Sequence, residues 1–145
     1  MHALLQQLDE RQLHALVQVM TLAAVSDDEV DPSERAELSR RIIMLGRGSA
    51  HEAALAPPRV DEVIDGTIAQ VAGGQRAEVL AAITQRLPTP EVRRAALELA
   101  IVVTIADGII RTSERELIME LAEGLAIDPD QAADLVIAVQ RATES

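Results

Sequence analysis

The residues whose type and spacing could do chemistry in this chain are carboxylates, and they come in two matched sets. Ser26–Leu38 reads SDDEVDPSERAEL, and Ala106–Leu117 reads ADGIIRTSEREL. Each places an aspartate ahead of a short gap and a Ser-Glu-Arg tripeptide after it. Asp27 and Asp107 stand 80 positions apart (107 − 27), as do Glu34 and Glu114 (114 − 34). Clustered carboxylates with backbone oxygens nearby are the hard ligands that Ca²⁺ or Mg²⁺ prefers. The first copy offers Asp27, Asp28, Glu29, Asp31 and Glu34, whereas the second keeps only Asp107 and Glu114. An EF-hand does not fit: counted from Asp27, the sixth position is Pro32 instead of glycine, and the twelfth is Leu38 instead of glutamate. A cation site made of Asp27, Glu34, Asp107 and Glu114 must therefore be assembled from separate segments.

The same residues also have architectural uses. Glu34 and Glu114 fall in first helical turns, where a carboxylate complements the helix dipole and the free N–H groups. Asp31 suits an N-cap, and Asp27 and Asp107 suit the turns that close the preceding helices. Arg35 and Arg115 are matched as well and read as solvated helix-surface residues. Arg111 stands where the first copy has Asp31, and a cation there weakens metal binding in the second copy.

These turns need helices on either side, and helical periodicity runs through the whole sequence without a strand alternation. Asp9 and Gln12 form an Asp-x-x-Gln capping box ahead of Leu13, Leu16, Val17, Met20 and Ala24. Asp31-Pro32-Ser33-Glu34 opens a second helix with Leu38, Ile42 and Leu45 inward and Gly46 as its C′ glycine. After Pro58 a third helix carries Val60, Val63, Ile64, Ile68 and Val71 to a stop at Gly73-Gly74. A shorter helix follows over about 75–87, with Val79, Leu80, Ile83 and Leu87 inward. Thr89-Pro90 caps the next, which buries Leu97, Ile101, Thr104 and Ile105. Leu117, Ile118, Leu121 and Leu125 line another, and Asp128-Pro129 caps the last, with Leu135, Val136 and Val139. On that helical pattern Asp61 and Asp65 repel each other at i, i+4 unless a cation lies between them.

The order helix, acidic turn, Ser-Glu-Arg helix, proline-capped helix occurs over about 9–72 and again over about 90–142, with a connecting helix at about 75–87. The expectation is a single all-α domain over 1–145, a compact bundle of about seven to eight helices with an internal pseudo-two-fold repeat. Its core lacks Phe, Trp and Tyr altogether, so Leu, Ile, Val, Ala and Met pack it, with Met20, Met44 and Met119 inside.

Composition narrows the function. The 145 residues carry 24 acidic and 13 basic side chains, a net charge of −11, and every basic side chain apart from histidine is arginine. Such a charge repels a phosphate backbone, and no aromatic platform exists on which a base could stack, so nucleic acid is not an expected partner. Without cysteine there is no disulfide, thiolate metal site or cysteine nucleophile. The most apolar run, LAIVVTIA at 99–106, falls far short of the ~20 residues a bilayer span requires, and no signal peptide is recognisable, so a cytoplasmic location without a membrane segment is expected. His2, His14 and His51 share no metal-ligand spacing, and the serines lack an evident base, so no catalytic residue and no organic cofactor is expected.

The two Asp-x-x-x-x-x-Ser-Glu-Arg copies between apolar helices (Asp107-Gly108, Glu114, the Leu117/Ile118 face and the proline-capped last helix above all) resemble the TerB-like family associated with tellurite resistance. The same pattern is similar to the N-terminal module of some membrane-anchored J-domain co-chaperones. The resemblance spans about residues 12–140. It implies about seven helices with pseudo-two-fold symmetry and a metal- or partner-binding role in stress response for Asp27, Glu34, Asp107 and Glu114. The chain departs from that pattern at Asp28, where glycine is usual, and at Arg111. The functional expectation is a non-enzymatic acidic module that binds a divalent cation. The alternative is a metal-free module that docks a protein partner or a second copy of itself.

Overall fold

A computed structural model describes residues 8–24, 32–47, 55–104 and 112–144. Among them are seven helices and no strand: α1 Glu10–Ala24, α2 Pro32–Gly46, α3 Pro57–Ala72, α4 Arg76–Arg86, α5 Pro90–Thr104, α6 Thr112–Gly124 and α7 Pro129–Glu144. The all-α expectation holds. The 80-residue offset reappears in the element bounds, since α1 and α5 start at 10 and 90 and α2 and α6 at 32 and 112.

Local chemistry sets most of these ends. Asp9 accepts a hydrogen bond from the Gln12 backbone N–H at 2.8 Å, and Gln12 Oε1 accepts one from the Asp9 N–H at 3.0 Å, which completes the capping box of α1. Thr89 Oγ1 takes the Val92 N–H, and Asp128 Oδ1 takes the Asp130 N–H. The third helix starts at Pro57 and not after Pro58, because the extended Ala56 leaves both prolines in the first turn, where no backbone donor is required. It ends in a Schellman motif: Gly74 has φ +81°, its N–H bonds to Val71 O, and the Gln75 N–H bonds to Gln70 O at 2.9 Å. The end of α6 repeats that motif on an alanine. Ala126 has φ 59°, and the Ile127 N–H reaches Ala122 O at 2.8 Å.

Gly46 is not the left-handed C′ residue that the sequence suggested. It is the buried last residue of α2, and a Cβ there would stand 2.6 Å from the Leu55 Cβ. Close approach, and not a positive φ, is what requires glycine.

One hydrophobic core takes side chains from all seven helices. At its centre lies α1, whose residues from Leu13 to Ala23 are buried except His14. A helix buried on every side is covered on every side, and α1 packs against α2, α3, α4, α5 and α6. Ala24, expected inward, is exposed, and Thr104 is half-buried. Met20 is fully buried and Met119 packs against the core, but Met44 is 59% exposed and does not join it. No described helix is long and apolar enough to cross a membrane.

Candidate functional site

Of the four carboxylates singled out above, Asp27 and Asp107 lie outside the described residues, together with Asp28, Glu29, Asp31 and Arg111. Glu34 is exposed in the first turn of α2, and Glu114 is half-buried in the first turn of α6. Both therefore sit where a carboxylate meets the positive end of a helix dipole. Among the described residues no group of three or more His, Asp or Glu is arranged to hold a metal ion.

What the structure adds is a set of arginine donors at helix C-termini. Arg41 on α2 donates Nη1 to the Val103 carbonyl in the last turn of α5, at 2.6 Å, and its Nε donates to Glu37 at 3.0 Å. Arg76 on α4 donates Nη2 to the Leu22 carbonyl in the last turn of α1, at 3.0 Å, while its Nε binds Glu120 of α6 at 2.5 Å. Arg93 serves the end of α4 in the same way, through Leu87 O at 2.6 Å and Thr84 O at 3.2 Å. A planar, permanently charged fork suits orphan carbonyls at the negative end of a helix, which gives the arginine-only composition a physical use. Sequence reading missed these roles. The signal lay in the residue type, but the carbonyl partners are up to 62 positions away.

Arg35 is a further correction. It is not a solvated arginine but lies between Asp61 and Asp65 of α3, with Nε 2.6 Å from Asp65 Oδ1 and Nη2 3.5 Å from Asp61 Oδ1. Asp61 also accepts the Ser39 hydroxyl at 2.7 Å. The hydrogen bond from Arg35 holds the Asp65 carboxyl below its ordinary pKa and, reciprocally, raises that of the guanidinium. This supplies the cation that the i, i+4 aspartates needed. Its counterpart Arg115 is exposed.

A second feature is a groove between α1 and α3, to whose lining Arg86 of α4 contributes. One part, of about 310 Å³, has an aliphatic floor of Leu13, Val17, Val60 and Val63. The other, of about 580 Å³, is lined by Gln18, Gly66, Thr67 and Gln70, and the two share His14, Arg59 and Val63. Gln18 is 7% exposed, and its Oε1 is buried without a hydrogen-bond partner among the described residues. Thr67 donates its hydroxyl to Val63 O in its own helix at 2.8 Å. Burial and the nearby Arg86 lower the pKa of His14, with Glu62 acting the other way.

The Tellurite resistance protein TerB family model matches residues 50–136. The chain belongs to the TerB family. That match takes in α3 to α6, the first half of α7 and the second acidic turn, and it leaves the first acidic turn outside. TerB is not a known enzyme family. No curated protein and no solved structure matches the chain.

Proposed function

We propose that this TerB-family chain is a non-enzymatic binding module of the tellurite-resistance type. In this reading it takes up a divalent cation through Asp27, Glu34, Asp107 and Glu114 during metal or tellurite stress, and its two halves are related by an approximate two-fold axis. The observation that carries the reading is crosswise packing. α1, which leads into the first acidic turn, packs on α6, the Ser-Glu-Arg helix of the second half; α5, which leads into the second turn, packs on α2. A shared ion held by both copies needs such an exchange. Oxygen ligands at ~2.4 Å around Ca²⁺ would draw on both halves at once.

A ligand that binds only the folded state raises the melting temperature by mass action. Thermal melts with Ca²⁺, Mg²⁺, Mn²⁺ and Zn²⁺ should show an upward shift for at least one ion, and the shift should vanish in Asp27→Asn/Asp107→Asn. Melting curves that none of the four ions moves would leave the family's module as a metal-free protein-docking domain.

A further inference from the structure

The α1–α3 groove combines features that packing alone does not account for. In a chain of net charge −11, Arg11, Arg59 and Arg86 converge on it, against Glu10 and Glu62. Glu10 is already paired with Arg59 at 3.2 Å, through side chains that are 75% and 58% exposed. Beneath this rim lies a polar acceptor with no donor among the described residues, the Gln18 Oε1. Buried acceptors are nearly always satisfied, so an orphan on a residue that lines a cavity marks a place where a donor can be supplied from outside. Gly66 is a helix-interior glycine whose added Cβ would meet nothing within 4 Å, so the groove wall is bare backbone there.

The shape selects the ligand. From Arg59 to Gln70 the wall runs eleven helical rises of 1.5 Å, or about 16 Å. At ~3.3 Å per residue an extended peptide covers that length in about five residues. Aliphatic side chains fit the floor of Leu13, Val17, Val60 and Val63, carboxylates meet Arg59 and Arg86, and a backbone N–H answers the Gln18 Oε1. A free inorganic anion would use the cations but leave the aliphatic floor and most of the length empty.

We propose that the α1–α3 groove docks an extended, acidic–aliphatic peptide segment of a partner protein, with Gln18 Oε1 accepting a peptide N–H and Arg59 and Arg86 reading its carboxylates. This role uses none of the four carboxylates of the cation reading and stands or falls separately from it.

The test is a ¹⁵N NMR titration of the full chain with an acetylated, amidated pentapeptide alternating leucine and glutamate. Its leucine–lysine counterpart, sodium acetate and sodium phosphate form the other arms. The acidic peptide should move the Gln18 side-chain amide and the Val63 and Gly66 backbone signals, and the lysine peptide and the free anions should not. Arg59→Glu, at an exposed site, should weaken binding at least tenfold. Gln18→Met should weaken it about fivefold, the worth of one neutral hydrogen bond, and should raise the melting temperature of the free protein because an orphan acceptor is gone. The proposal is overturned if the acidic peptide moves none of these signals at millimolar concentration, if the lysine peptide binds equally well, or if acetate or phosphate alone reproduces the pattern. Full retention of affinity in Arg59→Glu overturns it too, whether or not Gln18→Met folds.

Discussion

Arg41 Nη1 lies 2.6 Å from the carbonyl oxygen of Val103, which ties the Ser-Glu-Arg helix of the first half to the last turn of α5 in the second. The guanidinium is held in place by Glu37, so the bond is charge-assisted and oriented at both ends. Arg41→Met keeps the aliphatic stem and removes the fork. It should cost about 1.5–3 kcal/mol, the usual range for a bond made by a charged group, read as a lower urea midpoint with an unchanged m-value. Arg76→Met, which frees the Leu22 carbonyl, should cost a similar amount.

Ala126 adopts φ 59° at the end of α6, a conformation that glycine reaches without a Cβ penalty. Ala126→Gly should therefore stabilise the protein by about 0.5–1 kcal/mol, against the usual trend for such a change. A higher midpoint in chemical denaturation checks it, and a lower one contradicts the assigned backbone.

Gly124 works the other way. A Cβ there would lie 2.6 Å from the Leu80 Cγ, and the Gly124 carbonyl is 2.8 Å from the Thr84 hydroxyl, so α4 and α6 touch at this point. Gly124→Ala should destabilise by about 1–3 kcal/mol through overpacking, even though alanine is the better helix former. Leu80→Ala in the same background should recover part of the loss, as a double-mutant cycle would show.

The caps and stops were legible in the sequence because each is a contact within a few residues: Asp9 with Gln12, Thr89 with Val92, Asp128 with Asp130, and the Gly73-Gly74 stop. The inward faces of Ile64, Ile83, Leu97 and Leu121 followed from 3.6-residue spacing in the same way. What depended on distant neighbours was not legible. Periodicity showed one face of α1, while five helices pack around it. Gly46 looks like a C-cap until Leu55 is seen against it. Gln18 stands inside an apolar run, and only the fold shows that its side-chain carbonyl is buried without a partner among the described residues. For the acidic turns, Glu34 and Glu114 fall in first turns as expected, and Asp27 and Asp107 lie outside the described residues.

The Arg35–Asp65 pair gives stability a pH dependence of known sign. The folded-state pKa of Asp65 is depressed below its unfolded value, so the pair's contribution is complete above about pH 4 and is lost as pH falls through the folded value. Asp65 is 61% exposed, so solvent screening limits the effect to about 0.5 kcal/mol. Asp65→Asn should lower stability at pH 7 by that amount and converge with the parent once pH falls below the depressed folded-state pKa, as denaturation at a series of pH values would show.

Isothermal titration of Ca²⁺, Mg²⁺, Mn²⁺ and Zn²⁺ into the parent chain and into Asp27→Asn/Asp107→Asn tests the central claim most directly. The cation reading predicts saturable binding of at least one ion to the parent, with a stoichiometry of one if the two turns share it, and loss of that binding in the double variant. Binding that survives the double substitution, or no binding heat with any of the four ions, would contradict it.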